Sequence, residues 1–450
     1  MDVIVVETSS LGDRSYLVHD GQVALVIDPQ RDIDRVRDTA ARAGVEITHV
    51  AETHIHNDYV TGGLELVAAT GGTYLVNAAD PVRYERTPIS DGEQHRVGEL
   101  ALRALATPGH TESHLTYVVA HGEEQAVFSG GSLLFGSVGR TDLVDPAKTE
   151  ALTHAQYASA RRIVDEAETG AQLYPTHGFG SFCSSGPATA ADSSTVGEQR
   201  SNNHALTDGD EAHFVRELIA NLTAYPSYYA HMGPANLQGP VPVDLSVPQP
   251  LDATELHRRL DSGEWVVDLR QRVAFAQGHL TGAMSFEYGD GSSFTTFLGW
   301  VLPWGDQITL AGSKKEVEQA IRDLSRIGID SPDVAIGDGP SDMALTAPTS
   351  AYLRVDWEAF LAGRSDDEAV LDVRRADEYQ GSHIVGAVNI PLHEVLTRMD
   401  EVPTGPVWVH CGSGYRAGVA ASLLQRAGKD PIHVDAAFPD AEPAGVTLES

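Results

Sequence analysis

Short apolar runs alternate with helix-like segments along roughly the first half of the chain. The spacing predicts strands at the following runs: RSYLVH, ALVIDP, ITHVAETHIH, GTYLVN, LALRALATP, LTYVVA, QAVFSG and AQLYPTH. Between them, the segment DIDRVRDTAARAG has helical spacing and predicts a helix that ends at Gly44. Many strands with helices interspersed predict a layered α/β fold.

Two stretches rich in small residues interrupt this pattern. The first, SSGPATAADSSTVGEQRSNN, predicts an exposed loop, and the second, GPANLQGPVPVDLSVPQP, predicts an interdomain linker at about residues 233–250. After it, the motif Asp268-Leu-Arg270 with His279 recurs as Asp372-Val-Arg374 with His383. A repeat of this length indicates two copies of one small parallel α/β unit. The predicted domains are 1–240, 250–345 and 350–450.

The composition narrows the possible partners and location. The chain has 450 residues and a formal net charge of −33, which repels phosphate backbones and anionic lipids and argues against nucleic acid or membrane partners. Its apolar runs are too short for a membrane span. The opening residues lack the pattern of a secretion signal, and only Cys183 and Cys411 are available for thiol chemistry. We therefore expect a reducing, cytoplasmic location.

Histidines concentrate in three turns, each of which follows a predicted strand. His54, His56 and Asp58 alternate along one segment, so their side chains can share a face. His110 lies in PGHTESH and His177 in YPTHG. If these turns meet at one sheet edge, they supply the imidazole ligands that first-row metals bind.

These motifs, together with VFSGGSLLFGSVGRTDL, resemble the metallo-β-lactamase superfamily, and within it the glyoxalase II and persulfide dioxygenase group. The resemblance covers about residues 1–240 and implies an αββα sandwich. It also implies a metal centre, with two metals in glyoxalase II-like members. In persulfide dioxygenases, one Fe(II) is held by two histidines and an aspartate and converts a thiol persulfide and O₂ into sulfite and thiol.

The sequence departs from the family pattern at two ligand positions. Tyr59 replaces the last histidine of the two-metal motif, and Gly131 replaces the ligand aspartate. The metal set that we predict is His54, His56 and His110, with Fe(II) expected and Zn(II) as the alternative. A weakly held metal with water in place of the carboxylate, or a metal-free scaffold, remain open.

Within this site, Asp58 and His177 are expected to hydrogen-bond rather than coordinate. Restoring a carboxylate at position 131 is expected to raise the metal content, provided that the geometry is otherwise intact.

The second cysteine lies between a predicted strand, VWVH, and a predicted helix. Its loop runs Cys411-Gly412-Ser413-Gly414-Tyr415-Arg416. Backbone N–H groups and the positive end of the helix dipole stabilise a thiolate or persulfide at such a position. Arg416 can bind an anionic donor.

This loop and LDVRRADEYQGSHIVGAVNIP resemble the rhodanese (sulfurtransferase) domain. The resemblance makes Cys411 the persulfide carrier, with Arg416 and the loop residues 412–415 as its stabilisers and substrate-binding groups. Phosphatases of the same topology typically have a longer loop, so this span favours sulfur chemistry. The middle copy contains no cysteine and cannot carry a persulfide, so we expect an inactive rhodanese-like domain. Together, the domains form an α/β multidomain protein in which an αββα sandwich precedes two rhodanese-like domains.

The expected function is a sulfurtransferase coupled to a persulfide dioxygenase-like domain. The expected partners are a low-molecular-weight thiol persulfide, thiosulfate or sulfite, and a dimer or tetramer is expected. The alternatives are a glyoxalase II-type thioester hydrolase with an attached sulfurtransferase, and a non-enzymatic acceptor or sensor of sulfane sulfur. Cys183 is expected to be structural.

Overall fold

The computed structural model describes residues 1–186, 191–289, 293–344 and 347–450. The chain forms two compact units: Met1–Val243 with Ser325–Gly328, and Asp244–Leu324 with Ile329–Ser450. The first unit therefore ends close to the predicted boundary at residue 240. Among the described residues, every helix is too short or too polar to cross a membrane.

The first unit contains two six-stranded sheets. The strands of the first sheet lie in chain order: β1 (Asp2–Thr8), β2 (Asp13–His19), β3 (Val23–Ile27), β4 (Glu46–Ala51), β5 (Thr73–Asn77) and β6 (Thr87–Ile89). The strands of the second sheet are β7 (Gln94–Val97), β8 (Leu100–Ala106), β9 (Leu115–His121), β10 (Glu124–Gly130), β11 (Gln172–Pro175) and β12 (Ser194–Thr195). Strands β3 to β6 are parallel, as are β10 and β11, and the remaining pairs are antiparallel.

Helices cover the outer face of each sheet. They are α1 (Asp34–Ala43), α2 (Gly63–Thr70), α3 (Thr149–Glu166), α4 (Val196–Asn202), α5 (His204–Thr207), α6 (Glu211–Ala220) and α7 (Tyr229–Gln238). The predicted end of α1 is confirmed, because Gly44 takes the left-handed conformation, with φ of 71°, that closes a helix.

Alternation along the central strands explains the four layers. On β2, the side chains of Tyr16 and Val18 lie in the core between the two sheets, whereas Leu17 lies in the core beneath α1 and α2. A further core joins the second sheet to α3 and α6. Successive side chains point to opposite faces of a strand, so an apolar run buries both faces of its sheet. The layers are those of the predicted αββα sandwich.

The predicted linker is wrong at its start, because residues 233–238 belong to helix α7. The side chain of Asn236 is buried and accepts a hydrogen bond from the Thr61 N–H at 2.9 Å. It also donates to the carbonyl oxygens of His56 and Tyr59, at 2.9 and 2.8 Å. These tertiary bonds hold a helix that Gly233 and Pro234 disfavour. The segment predicted as a loop likewise includes β12 and α4, and its residues 187–190 lie outside the described residues.

The second unit contains two parallel sheets and two antiparallel strand pairs. Its strands are β13 (Trp265–Asp268), β14 (His279–Leu280), β15 (Met284–Ser285), β16 (Ile308–Gly312), β17 (Asp333–Ile336), β18 (Thr349–Ser350), β19 (Arg354–Val355), β20 (Ala369–Asp372), β21 (His383–Ile384), β22 (Val388–Asn389), β23 (Pro406–His410), β24 (Asp430–Val434) and β25 (Leu448–Glu449). Its helices are α8 (Ala253–Asp261), α9 (Arg272–Gln277), α10 (Phe294–Val301), α11 (Lys314–Arg326), α12 (Pro340–Met343), α13 (Trp357–Gly363), α14 (Ala376–Gly381), α15 (Tyr415–Arg426) and α16 (Ala441–Ala444).

The two sheets have corresponding strand orders: β15-β13-β16-β17 in one, and β22-β20-β23-β24-β19 in the other. Each also repeats the same buried ion pair. Arg270 donates to Asp268, and Arg374 donates to Asp372, both at 2.6 Å. The repeated sequence motif therefore fixes the turn that follows the first long strand of each sheet.

Candidate functional site

The first candidate site lies where strands of the two sheets in the first unit end. Ile27 of β3 pairs with Ala51 of β4, so Asp28 and Glu52 leave the sheet side by side. Thr176, which follows β11, donates a hydrogen bond to Asp28 at 2.5 Å across the two sheets. The polar turns of both sheets therefore meet at one edge, as the sequence predicts.

Three histidine rings converge there. His54, His110 and His177 are buried, and each offers one ligand nitrogen within 4.8 Å of the others. The Nε2 atoms of His54 and His177 are 3.3 Å apart. The Nε2 atom of His110 is buried and has no hydrogen-bond partner among the described residues.

The other nitrogen of each ring is held by a polar neighbour. The Nδ1 atom of His54 lies 2.8 Å from the Thr53 hydroxyl, and that of His110 lies 2.7 Å from the carbonyl oxygen of Arg140. The Nδ1 atom of His177 lies 2.9 Å from a carboxylate oxygen of Asp13. Metal-binding histidines are oriented in this way by a partner on the second nitrogen. The residues therefore fit a metal ion.

Burial controls the protonation of these rings. It lowers the pKa of His54 well below its usual value and that of His110 to about 3, so both imidazoles are neutral, the form that binds metals. His177 behaves differently, because the charges of Asp58 and Asp13 and their hydrogen bonds together outweigh burial and raise its pKa to about 10. Asp58 and Asp13 thus hydrogen-bond His177.

The structure turns one nitrogen of His56, the third predicted ligand, towards carboxylates. Its Nε2 atom lies 3.3 Å from both Asp28 and Glu52, and 3.0 Å from the hydroxyl of Tyr59. Burial opposes protonation, but the charges of Asp28 and Glu52 and their hydrogen bonds together outweigh it, and the pKa rises to about 9. Its Nδ1 atom is buried and has no hydrogen-bond partner among the described residues. The ring of His56 lies 4.1 Å from that of His54. Ligand atoms of His56 lie within 4.8 Å of those of Asp28 and His54, and also of those of Asp58 and His177, whereas the group that contains His110 is completed by His177.

The ring of His110 occupies the space that a side chain at position 131 would need. A Cβ atom built on Gly131 would lie 2.3 Å from Cδ2 and 2.5 Å from Cγ of that ring. Cys183, near the same site, is fully buried, and burial raises the pKa of its thiol well above the usual value.

The second candidate site is the loop between β23 and α15. Cys411 is fully buried, and its Sγ atom accepts a hydrogen bond from the Gly414 N–H at 3.2 Å. Gly414 has φ of 89°, and its carbonyl oxygen lies 2.9 Å from Nε2 of His433. The carbonyl oxygen of Gly412 accepts from the Phe438 N–H at 2.9 Å. These bonds fix a cradle at the amino end of a 12-residue helix.

The remaining loop residues have separate environments. Ser413 is exposed. The ring of Tyr415 lies 5.8 Å from that of Phe297. The guanidinium of Arg416 binds both carboxylate oxygens of Glu378, at 2.6 and 2.8 Å.

The corresponding junction in the other sheet has no such loop. β16 ends at Gly312 and α11 begins at Lys314, so only Ser313 separates them. The hydroxyl and N–H of Ser313 both donate to Glu316, at 2.7 and 2.8 Å. This helix start is capped by its own residues.

Sequence reasoning missed the carboxylates that surround both sites. Asp28 and Glu52 follow apolar strands directly, which is a weak signal for a position at a sheet edge. Glu378 lies in the motif that carries the repeat, but nothing in its spacing indicates contact with Arg416.

Comparisons with known proteins match the N-terminal and C-terminal parts of the chain to two different families. Residues 13–177 match the family model described as Metallo-beta-lactamase superfamily, and residues 357–440 match that described as Rhodanese-like domain. Persulfide dioxygenase ETHE1, mitochondrial, of Homo sapiens is 28% identical over 54% of this chain and 81% of its own length. A hydroxyacylglutathione hydrolase of Methylococcus capsulatus is 38% identical over 22% of this chain and 38% of its own length.

A crystal structure of a metallo-beta-lactamase from Staphylococcus aureus superposes with a TM-score of 0.67 at 26% identity. The superposition covers 75% of this chain and 99% of the Staphylococcus aureus chain. The predicted fold is therefore confirmed, with a metallo-β-lactamase fold at the amino terminus and a rhodanese-like domain at the carboxyl terminus.

Proposed function

We propose that this chain, which joins a metallo-β-lactamase domain to a C-terminal rhodanese-like domain, is a sulfurtransferase coupled to a persulfide dioxygenase-type centre. The observation that carries the proposal is the hydrogen bond from the Gly414 N–H to Cys411 Sγ at the start of α15. Backbone donors and the helix dipole stabilise negative charge on sulfur at this position. A persulfide on Cys411 needs the same stabilisation.

The transfer step requires no external oxidant. The Cys411 thiolate attacks the outer sulfur of thiosulfate or of a thiol persulfide, and a new S–S bond forms. The old S–S bond breaks, and sulfite or the free thiolate leaves with its electron pair. The persulfide on Cys411 then passes its outer sulfur to a second acceptor by the same exchange. Because Sγ is buried, the donor has to displace the neighbouring groups to reach it.

The middle domain is proposed to be an inactive rhodanese-like copy. It has the Asp268–Arg270 pair and the strand order of the last domain, but Ser313 caps the helix at the position where the other copy has its loop. A capped helix start leaves its N–H groups unavailable to an anion.

For the first domain we propose a single metal ion, with iron expected and zinc as the alternative. His54 and His110 are its first two ligands, since both rings are neutral and His110 Nε2 lacks another partner. His177 lies close enough to complete the set, and coordination would release the proton that Asp58 and Asp13 stabilise on its ring. The predicted third ligand, His56, stays a candidate through its unpartnered Nδ1 atom. Bound iron would supply the site for O₂ chemistry on a low-molecular-weight persulfide.

The thioester hydrolase remains the second candidate, because hydroxyacylglutathione hydrolases are among the relatives. A two-metal hydrolase needs ligands where this chain has Tyr59 and Gly131. The hydroxyl of Tyr59 instead lies 3.0 Å from His56 Nε2. Release of thiol from an S-acyl glutathione would support this candidate, whereas O₂ uptake with a persulfide supports ours.

Persulfide formation on Cys411 tests the transferase. Purified protein is incubated with thiosulfate or with an alkyl persulfide, and peptide mass spectrometry measures the gain of one sulfur atom at Cys411. We expect loading in the wild type and in Cys183→Ser, and none at position 411 in Cys411→Ser. Thiocyanate production from thiosulfate and cyanide at equal rates in wild type and Cys411→Ser would refute the proposal.

Metal content of single variants tests the ligand set. We expect His110→Ala and His177→Ala to lower bound iron or zinc at least tenfold, the usual scale for ligand losses. If His56→Ala has this effect and His177→Ala does not, the set is His54, His56 and His110. If the wild type contains no stoichiometric metal and consumes no O₂ with a persulfide, the first domain is a scaffold and Cys411 acts without it.

A further inference from the structure

The anion-binding arginine of the Cys411 loop already has an anionic partner. Arg416 donates from two nitrogens to the two carboxylate oxygens of Glu378, a planar, bidentate geometry that is among the strongest ion pairs. Burial alone would raise the pKa of Glu378, but the hydrogen bonds and charge of Arg416, together with those of Arg375, outweigh it and lower that pKa. Glu378 is therefore ionised at neutral pH.

The ion pair lies directly at the loop. A Cβ atom built on Gly412 would lie 2.9 Å from a guanidinium nitrogen of Arg416 and 3.7 Å from a carboxylate oxygen of Glu378. Both charges therefore act on whatever approaches Cys411, and the carboxylate reduces the attraction that Arg416 alone would exert on an anion.

The neighbouring arginines are paired as well. Arg374 donates to Asp372 at 2.6 Å, and Arg375 donates to Asp377 at 2.9 Å. Each of these cations therefore has its own carboxylate, which reduces its attraction for an anion near Cys411.

A largely buried aromatic cluster borders the same ion pair. The guanidinium carbon of Arg416 lies 5.9 Å from the ring centre of Phe297 on α10, and that ring is 5.8 Å from Tyr415. Trp300, on the same helix, stacks on His393 at 4.4 Å. An aromatic ring makes favourable apolar contact with the carbon chain of an organic donor, whereas an inorganic dianion has no apolar group to make such a contact.

We infer that Glu378 is a specificity-determining residue that makes Cys411 favour a monoanionic organic persulfide over dianionic thiosulfate as its sulfur donor. The inference rests on the proposed function. With thiosulfate, Cys411 takes the outer sulfur, and sulfite leaves with both negative charges. With an alkyl persulfide, the leaving thiolate carries only one. Repulsion from Glu378 therefore penalises thiosulfate by one extra unit of charge throughout the step.

Glu378→Gln tests this, because glutamine retains a hydrogen-bond acceptor for Arg416 and removes the charge. Initial rates of persulfide formation on Cys411 are measured with thiosulfate and with an alkyl persulfide. We expect the ratio of the thiosulfate rate to the alkyl persulfide rate to rise about tenfold, which is the scale of the interaction with one solvent-screened charge a few ångströms away. The matched control is Asp377→Asn, which removes a charge from the same helix without contacting Arg416. We expect its ratio to stay within about twofold of wild type.

A second measurement does not depend on sulfur transfer. The alkylation rates of Cys411 by anionic iodoacetate and by neutral iodoacetamide are compared by peptide mass spectrometry, with mild denaturant added equally if access limits the rate. We expect the ratio of the iodoacetate rate to the iodoacetamide rate to rise several-fold in Glu378→Gln and to be unchanged in Asp377→Asn. An unchanged ratio in Glu378→Gln overturns the inference, even where wild type forms a persulfide normally. Absence of a persulfide in wild type refutes the transferase, and the alkylation ratio then decides the role of Glu378 alone.

Discussion

A single methyl group at position 131 provides the sharpest test of the His110 geometry. In Gly131→Ala, the new Cβ atom would lie 2.3 Å from Cδ2 and 2.9 Å from Nε2 of His110, whereas carbon atoms in contact are about 3.5–4.0 Å apart. The ring has little room to move, because its Nδ1 atom is hydrogen-bonded to Arg140 at 2.7 Å, and a Cβ atom on Gly139 would lie 2.7 Å from that same nitrogen. The ring therefore has to shift by about 1 Å or more and weaken that bond.

The cost follows from these contacts. Overpacking a buried site costs about 1–3 kcal/mol, and a weakened buried hydrogen bond adds about 1 kcal/mol. We expect the free energy of unfolding of the first domain to fall by about 2–4 kcal/mol. At about 2–4 °C per kcal/mol for a domain of this size, its Tm should fall by roughly 5–15 °C.

The assay compares Gly131→Ala with Gly170→Ala, whose Cβ atom would have no neighbour within 4 Å. Both proteins are unfolded in urea after chelation, and their metal content is measured before chelation. We expect loss of stability and of metal only in Gly131→Ala. The sequence alone favours a gain of metal in Gly131→Asp, but the position of the ring leads us to expect a loss there too. A Gly131→Ala protein with wild-type stability and metal content would refute the reasoning.

Two further variants test the packing around the sites. Asn236→Ala leaves the Thr61 N–H and the carbonyls of His56 and Tyr59 without their partner, so we expect unfolding in urea to show a loss of about 2–4 kcal/mol; a loss no larger than that of exposed Asn221→Ala would contradict this. Asp435→Asn removes the negative charge and one of the two acceptor oxygens that Arg272 and Arg354 bind, both at 2.8 Å, and should cost about 1–3 kcal/mol at neutral pH. Burial alone would raise the pKa of Asp435, but the hydrogen bonds from Arg272 and Arg354 and the neighbouring positive charges together outweigh it, so the net pKa lies below 3.8. The contribution is therefore present above that pH and lost as the pH falls, so urea unfolding at about pH 3 should show a smaller difference. A difference that grows on acidification would contradict the assignment.

Local patterns were sufficient to predict a layered α/β fold and the position of the first site, whereas the αββα order of the layers was implied by the family resemblance. Apolar alternation predicts the strands, and the carboxyl ends of neighbouring strands lie at one edge, so the turns with His54, His110 and His177 had to meet if the sheets paired. The pattern failed at α7, where Pro and Gly indicate a linker. The hydrogen bonds of Asn236 are tertiary, and no local propensity reveals them.

The partners of the site residues could not be predicted because they depend on register across long sequence separations. Asp28 accepts hydrogen bonds from Thr53 and from Thr176. Likewise, different carboxylates hold the rings of the expected ligand His56 and of His177, which lies beside His54 and His110. Which carboxylate contacts which ring depends on side-chain packing rather than on the order of residues along the chain.

The two halves of the second unit share the bonds that stabilise the fold but differ in the residues that sulfur chemistry needs. Both contain the same Asp–Arg pair after a parallel strand. In both, a histidine Nδ1–H also donates to a nearby carbonyl oxygen: His279 to Phe275 at 2.8 Å, and His383 to Tyr379 at 2.9 Å. These shared bonds stabilise the turn in both copies, so they do not distinguish the copy that contains the cysteine from the one that does not. The difference lies in the residues between the next strand and its helix, where one copy has a single serine cap and the other has a loop that directs an N–H at sulfur. Replacing Ser313 with cysteine would therefore not create a sulfur carrier, because the helix start would lose its cap without gaining the loop that directs N–H groups at the sulfur.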